Sequence, residues 1–212
     1  MLPTFAKRTL KLLVCIFLII VFFGTENLFA QGRHLIRNQG FFYTTEGWYG
    51  ISDKLSSNYI INTDAFKPRS YGFKASANWF LSYHLSAGGA VGVLNYENPG
   101  SFTFPLLVNS QAYLSKGSNT PLVFAEGGYG LRFDHHQQDK GLLYEVGIGY
   151  RYRIKWKNFF VIKAGYHGFK NDEWVWERKL DLPVDPTDPY QWYYLKRQSF
   201  NITIAFYYST RY

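Results

Sequence analysis

The sequence predicts an all-β fold, an eight-stranded antiparallel up-and-down barrel. Aromatic residues make up 20% of the 212 residues and charged residues only 18%, and aromatic side chains suit a pleated strand better than a helix. Apolar and polar residues alternate in eight segments, which is the period of a strand with two different faces. The connections between these segments alternate between long and short, as expected for a meander of antiparallel strands.

The first 30 residues have the layout of a secretory signal peptide. Lys7, Arg8 and Lys11 precede an apolar run from Leu12 to Phe23, and Ala30 stands at the expected cleavage position. The run is shorter than the roughly 20 residues that a membrane-spanning helix needs. We expect residues 1–30 to be removed, residues 31–37 to form a short N-terminal segment and residues 38–212 to form one domain. An uncleaved N-terminal anchor is the alternative.

The first four predicted strands are 41–51, 70–83, 85–96 and 102–114. Each has an apolar face made of every second residue, although the third strand is small and Gly-rich. Trp48 and Phe80 are bulky residues on the polar side. The apolar faces of the three clear strands comprise Phe41, Tyr43, Tyr49, Ile51, Tyr71, Phe73, Ala75, Ala77, Trp79, Leu81, Tyr83, Phe102, Phe104, Leu106, Val108, Ala112 and Leu114.

The last four predicted strands are 123–133, 142–154, 159–169 and 199–208. Connections 52–69 and 170–197 are long, whereas His84-Leu85, 116–120 and 155–157 are short. The apolar faces comprise Val123, Ala125, Tyr129, Leu131, Phe133, Leu142, Tyr144, Val146, Ile148, Tyr150, Tyr152, Ile154, Phe160, Ile162, Ala164, Tyr166, Phe200, Ile202, Ile204, Phe206 and Tyr208.

The apolar faces predict that the barrel is transmembrane, with these faces turned outward to lipid. An eight-stranded lumen is barely wide enough for side chains, and so many Tyr, Phe, Trp and Ile residues would overfill it. The polar faces are rich in Gly and Ser and carry charges of both signs, which can pair inside. A soluble lipocalin-type barrel would have the opposite arrangement. Aromatic residues near the strand ends suit the membrane interfaces; they are Tyr71, Tyr83, Phe102, Phe133 and Tyr208.

The segments Trp79–Gly89 and Phe124–Gly130 combine aromatic strands with small-residue strands around a tight turn. With them, residues 38–212 resemble the small eight-stranded outer-membrane β-barrel proteins of the OmpX and OmpA-barrel type, the porin-family barrels of Gram-negative bacteria. The resemblance implies a bacterial outer-membrane location with both termini, including residues 31–37, in the periplasm. Implied partners are outer-membrane lipid, lipopolysaccharide and the barrel-assembly machinery, which would recognise an aromatic residue near the end, Tyr212 or Tyr208.

The resemblance also implies a monomer with a structural, adhesive or ligand-binding role through its extracellular loops. No enzymatic activity and no cofactor are expected. The net charge of +8 raises the question of nucleic acid, but we expect none because this exported chain has no basic helix. Cys15 is the one cysteine and lies in the signal segment, so neither a disulfide nor a Cys-based zinc site is expected.

The polar faces predict a luminal network of ionisable residues. We interpret it as a packed ion-pair network that fills the barrel, with a narrow channel for small solutes as an alternative. Its predicted members are Glu46, Lys74, Glu126, Arg132, Glu145, Arg151, Arg153, Lys163 and His167.

The connection 170–197 predicts a hairpin that protrudes between the last two strands. Its centre, 181–189, contains three prolines and its flanks read as strands. Exposed aromatic residues on a hairpin are candidates to contact an extracellular protein or glycan. The alternative is that they fold over the barrel mouth or lie at the lipid head groups. The candidate contact residues are Trp174, Trp176, Tyr190, Trp192 and Tyr194.

Two histidine motifs raise alternative chemistries. One enzymatic branch of these barrels removes acyl chains from lipid A with a lipid-facing His-x-Ser on a late strand. His167-Gly168-Phe169 lacks the serine, and His84-Leu85-Ser86 spans an early turn, so no catalytic residue is predicted and the lipid A hydrolase stays an alternative. The pair His135-His136, with Asp134 and Asp139, lies in a polar connection, and we expect it to be solvated rather than metal-bound.

Overall fold

The computed structural model describes residues 38–57, 69–97, 101–132, 140–155, 157–176 and 190–210. Eight antiparallel strands follow one another around a closed barrel, and pairing of the first strand with the last removes both edges. This confirms the predicted fold class. No described helix is both long and apolar enough to cross a membrane. The strands are β1 (Gly40–Ser57), β2 (Arg69–Phe80), β3 (Leu85–Tyr96), β4 (Ser101–Tyr113), β5 (Thr120–Arg132), β6 (Lys140–Lys155), β7 (Asn158–Trp176) and β8 (Tyr190–Ser209).

The strand bounds differ from the predicted ones at three places. Strand β2 ends at Phe80, because the backbone turns at residues 81–84 and the Leu81 N–H donates to the Leu85 carbonyl at 2.9 Å. Strand β1 runs on to Ser57 through a register shift between Ser52 and Lys54, and that bulge interrupts the alternation. Strands β7 and β8 also extend well into the predicted 170–197 connection.

The alternation assigns the two faces as predicted. The exposed fractions of Tyr71, Val146 and Ile204 on the outer face are 45%, 50% and 48%, whereas Glu126 and Arg151 inside are 6% and 1% exposed. The barrel exterior is therefore apolar and its interior holds the charges.

The apolar exterior is ordered along most strands as aromatic, aliphatic, aromatic. The central band contains Ala75, Ala77, Val91, Leu106, Val108, Val123, Ala125, Val146, Ile148, Ile162, Ala164, Ile202 and Ile204. Toward one barrel end lie Phe41, Tyr43, Trp79, Tyr83, Tyr152, Phe160, Phe206 and Tyr208. Toward the other lie Tyr49, Tyr71, Phe73, Phe102, Phe104, Tyr129, Tyr144, Tyr166 and Phe200. We call these the lower and the upper aromatic belt.

The end beyond the lower belt, here called the turn end, carries the connections 81–84, 114–119 and 156–157. Strand β1 enters there at Gly40, which has a φ of 79°, a left-handed conformation that favours glycine. The Asn38 side-chain amide donates to the Tyr83 carbonyl at 2.8 Å. The Thr210 N–H donates to the Phe41 carbonyl at 3.0 Å. The two ends of the described barrel are thus attached to the turn end.

At the opposite end, here called the loop end, β7 and β8 extend farther than their neighbours β6 and β1. The last β7 residue with a β6 partner is Asn171, opposite Gly141, and the first β8 residue with a β1 partner is Leu195, opposite Ser57. Beyond these, backbone pairs from Asp172↔Tyr194 to Trp176↔Tyr190 join β7 and β8 alone. The backbone at this point is therefore a two-stranded extension of the barrel.

Candidate functional site in the barrel interior

The interior consists of two apolar layers with charged residues between them. The layer near the turn end contains Phe42, Tyr113, Leu122, Phe124, Phe159, Val161, Ala205 and Tyr207. The layer near the loop end contains Trp48, Ala90, Leu94, Tyr96, Leu107, Leu143 and Phe169. The expectation that the lumen holds mainly small and charged residues is therefore incomplete.

Glycines make room for these large interior side chains. At Gly165, an added Cβ would lie 2.9 Å from Glu145 Oε1 and 3.0 Å from the Phe124 ring. The lumen of an eight-stranded barrel is narrow, so large residues on some strands require small residues opposite them. The inward glycines thus fill a packing role.

Lys74 on β2 lies among three carboxylates. Its Nζ is 2.7 Å from Glu126 Oε2, 3.5 Å from Glu145 Oε2 and 3.8 Å from Glu46 Oε2. All four side chains are 2–3% exposed. Each charge is removed from water, so each requires partners inside the barrel.

Lys163 on β7 supplies the second ammonium group. Its Nζ is 2.7 Å from Glu46 Oε1 and 3.7 Å from Glu126 Oε1, and it lies 5.0 Å from the centre of the Phe124 ring. The Thr44 hydroxyl donates to Glu46 Oε1 at 3.1 Å. Glu46 and Glu126 are each shared by both lysines, so the pairs form one connected network.

His167 extends this network toward the loop end. Its Nε2 is hydrogen-bonded to the Tyr96 hydroxyl at 2.8 Å, and its Nδ1 is 3.8 Å from Glu145 Oε2. Trp48 Nε1 donates to the same Glu145 oxygen at 3.2 Å. The network therefore connects the charged residues to the apolar layer near the loop end.

The predicted network is divided in the structure. Glu46, Lys74, Glu126, Glu145, Lys163 and His167 come together. Arg151 is buried at the turn end instead, where its Nη2 donates to Asn38 Oδ1 at 3.0 Å and to the Gly117 carbonyl at 3.1 Å. Its guanidinium lies 4.6 Å from the centre of the Tyr113 ring and 4.7 Å from that of the Phe159 ring. Arg151 thus closes the turn end rather than pairing with a carboxylate.

The other two predicted arginines are not placed in the central network. Arg153 is half-buried and lies two residues beyond Arg151 toward the turn end. Its backbone N–H donates to Asn119 Oδ1 at 2.8 Å. The side chain of Arg132 lies outside the described residues. Arg153 therefore belongs to the rim of the turn end.

Sequence reasoning did not include the interior residues Trp48 and Arg197 among the candidate site residues. Trp48 follows the parity of Glu46 along β1 and is 3% exposed, so position in the alternation was the available signal. Arg197 is 2% exposed; its guanidinium lies 5.0 Å from the centre of the Tyr96 ring and donates to the Glu97 carbonyl at 3.4 Å. Arg197 lies before residue 199, where the last strand was predicted to begin. The alternation nevertheless places it on the same face as Ser199.

The histidine motifs occupy different environments. His84 is exposed in the 81–84 turn with Nδ1 2.8 Å from the Tyr113 carbonyl, whereas Ser86 is fully buried and faces the lumen. Asp134, His135, His136 and Asp139 lie outside the described residues. Among the residues that are described, no group of three or more His, Cys, Asp or Glu side chains is arranged to hold a metal ion.

The candidate contact residues of the hairpin are described only by their backbone. Trp174 on β7 is the register partner of Trp192 on β8, and Trp176 is the partner of Tyr190. The side chains of these four residues and of Tyr194 lie outside the described part of the chain. Their direction and contacts stay untested.

One small cavity lies inside the turn end. It has a volume of about 10 Å³ and is lined mainly by Phe42, Phe80, Arg151, Phe159 and Tyr207. A single water needs roughly 10–15 Å³ by this measure, so the cavity is no larger than a water site. The described lumen is packed at this level.

The sequence matches no protein-family profile and no curated protein. Among the solved structures that match is the outer membrane protein OprG from Pseudomonas aeruginosa, with a TM-score of 0.49 and 12% sequence identity. The match covers 81% of this chain and 96% of that chain.

Proposed function

We propose that this chain is an integral outer-membrane β-barrel protein whose lumen is a packed scaffold and whose loop end faces outward for recognition. The observation that carries the proposal is the apolar band between two aromatic belts on the outside, combined with a connected network of six ionisable residues buried inside. Soluble proteins rarely expose an apolar surface that runs around the whole molecule, because its contact with water is unfavourable. The hydrocarbon core of a bilayer is a favourable environment for such a surface. A closed barrel can lie there because its strands satisfy all backbone hydrogen bonds among themselves.

In this proposal the turn end, with both ends of the described barrel, faces the periplasm, and the loop end faces the outside of the cell. The aromatic belts contact the two lipid head-group regions. Lipid and lipopolysaccharide surround the barrel, and the barrel-assembly machinery inserts it as a monomer. We propose no cofactor and no catalytic residue.

An arginine placed in the aliphatic band tests this proposal. Ile204 is 48% exposed, so Ile204→Arg would change stability by only about 0.5 kcal/mol if the face met water. If it meets hydrocarbon, we expect a loss of about 2–4 kcal/mol. The measurement is guanidinium unfolding of the protein reconstituted in lipid vesicles.

Asn158→Arg is the matched control, because Asn158 is exposed at the turn end, where β7 begins. We expect it to unfold like the wild type. The folded protein is also expected to migrate differently on a denaturing gel with and without boiling. Equal stability of the two arginine variants, or identical migration, would contradict the membrane assignment.

A recognition role is the finer part of the proposal and is supported by the β7–β8 extension. Five backbone pairs lie beyond the last neighbours of these strands, and they join β7 and β8 alone. The sequence places Trp174, Trp176, Tyr190, Trp192 and Tyr194 on this extension. Aromatic anchors on a short hairpin suit an extracellular protein or glycan.

A further inference from the structure

The buried cation at the turn end has only neutral partners among the described residues. Arg151 is 1% exposed. Its Nε donates to the Ser118 carbonyl at 3.2 Å, and its Nη2 donates to the Gly117 carbonyl at 3.1 Å and to Asn38 Oδ1 at 3.0 Å. Its other close contacts are two aromatic rings. Carbonyl dipoles and rings reduce the cost of burying a charge, but they do not neutralise it.

The described acidic side chains all lie away from Arg151. Three of them contact the central lysines, and two lie at the loop end; they are Glu46, Glu126, Glu145, Asp53 and Glu97. The described cations at the turn end are Lys116, Arg151, Arg153 and Lys157. The described part of the turn end is therefore positively charged, and such a surface attracts anions.

Arg151 also lines the small cavity at the turn end, together with the side chains around Ser209 and Tyr207 at the end of β8. The volume of about 10 Å³ suits one ligand about the size of a water and is too small for sulfate or phosphate. A guanidinium has five N–H donors, and the three neutral acceptors use three of them. N–H groups thus remain for a ligand, and a hydrogen bond from a charged donor to an anion is strong in a site with aromatic walls.

We propose that this cavity binds one chloride ion through the Arg151 guanidinium. The inference goes beyond the proposed function and does not depend on it. A monatomic anion neutralises the buried charge within the space available. Arg151 connects Asn38, which precedes β1, to the 114–119 turn, so the bound ion stabilises the closed turn end.

The first test measures chloride binding directly. The full chain in a non-ionic detergent is titrated into sodium chloride, and the line width of the chloride NMR signal reports exchange with a protein site. We expect the dissociation constant to rise about tenfold or more in Arg151→Gln, because a hydrogen bond from a charged donor is lost. Arg153→Gln is the matched control: it removes the same charge two residues away on β6, and we expect binding within about twofold of wild type.

The second test measures the effect of chloride on stability. Urea unfolding is followed while sodium chloride replaces sodium gluconate at constant ionic strength. A ligand that binds only the folded state stabilises it by about 1.4 kcal/mol for each tenfold increase in concentration above its dissociation constant. We expect this dependence in the wild type and in Arg153→Gln, and its loss in Arg151→Gln.

A cavity-filling variant keeps the inference testable if Arg151→Gln does not fold. Ser209 lines the cavity, so Ser209→Leu occupies its space while Arg151 stays in place, and we expect chloride binding to disappear. Heat-modifiable migration verifies folding. The inference is wrong if the wild type gives no excess line width, if Ser209→Leu binds like the wild type, or if Arg153→Gln loses binding equally. Sulfate that displaces chloride as well as bromide does would also contradict it, because the basic turn end would then attract anions without a defined site.

Discussion

At the scale of the residue, Lys74 determines how the buried charges are satisfied. Its ammonium group contacts three carboxylates from three other strands, with Glu126 nearest at 2.7 Å. A buried ion pair adds little net stability compared with an apolar pair, but losing one partner leaves the others unpaired in a medium that cannot solvate them. Replacing a single member of the network therefore lowers the free energy of unfolding.

We expect Lys74→Met to destabilise the barrel by about 3–5 kcal/mol because three buried carboxylates lose a shared cation. The double variant Lys74→Met/Glu126→Gln should recover about 1–3 kcal/mol of the summed single losses. Guanidinium unfolding in vesicles, followed by tryptophan fluorescence, measures Lys74→Met, Glu126→Gln and the double variant. Strictly additive losses would show that Lys74 and Glu126 do not interact.

The alternation determined which face each of these residues occupies, but not its height in the lumen. Arg151 has the parity of Glu145 on β6, yet it lies six residues farther toward the turn end and contacts carbonyls of the 114–119 turn. Height depends on strand register and tilt, which involve residues distant in sequence. For this reason the sequence predicted that Arg151 is inside but not that it lies apart from the central network.

At the scale of the element, strand ends were the hardest feature to predict. The alternation placed the last strand from residue 199 and only the hairpin hypothesis placed strands in the flanks of 170–197, whereas β8 begins at Tyr190 as one continuous strand. Outside the apolar band both faces of a strand are polar or aromatic, so the alternation that reveals a strand disappears although backbone pairing continues. The 81–84 turn was included in a predicted strand for the opposite reason, because Leu81 and Tyr83 continue the apolar pattern into a turn.

We expect the β7–β8 extension to be dispensable for folding. Replacing residues 173–193 with a two-residue Asn-Gly turn removes pairs that β7 and β8 make only with each other, and such a turn suits a hairpin. Heat-modifiable migration should persist, and the stability should change by no more than about 1 kcal/mol. As a control, replacing 114–119, which holds Arg151, should weaken the fold. Loss of the folded gel band in the first variant would show that the extension supports the barrel.

At the scale of the whole molecule, buried side chains fill the described lumen at three levels. The two apolar layers and the charged layer between them draw residues from all eight strands. This packing favours the scaffold interpretation over the narrow channel. The sequence predicted the charged level but not the apolar levels, because so narrow a lumen was expected to hold small residues, although the alternation places Phe42 on the same face as Thr44 and Glu46.

We expect the protein to produce no single-channel conductance in planar lipid bilayers. Widening one layer with Phe42→Ala/Tyr207→Ala should also leave it closed, because the central ion pairs and the layer around Trp48 and Tyr96 remain. A porin inserted in the same bilayer is the positive control. Current steps in the wild type that change with Lys163→Ala would establish the channel alternative instead.

The pairing of the first strand with the last also constrains how the protein is made. Phe42 pairs with Ser209 and Ser57 with Leu195, so the seam joins parts of the polypeptide that leave the ribosome far apart in time. Contacts so distant in sequence form slowly, and before they form the future lipid-facing side chains are open to water. With the membrane location proposed above, we expect a carrier to shield the chain on its way to the bilayer until the β1–β8 seam forms.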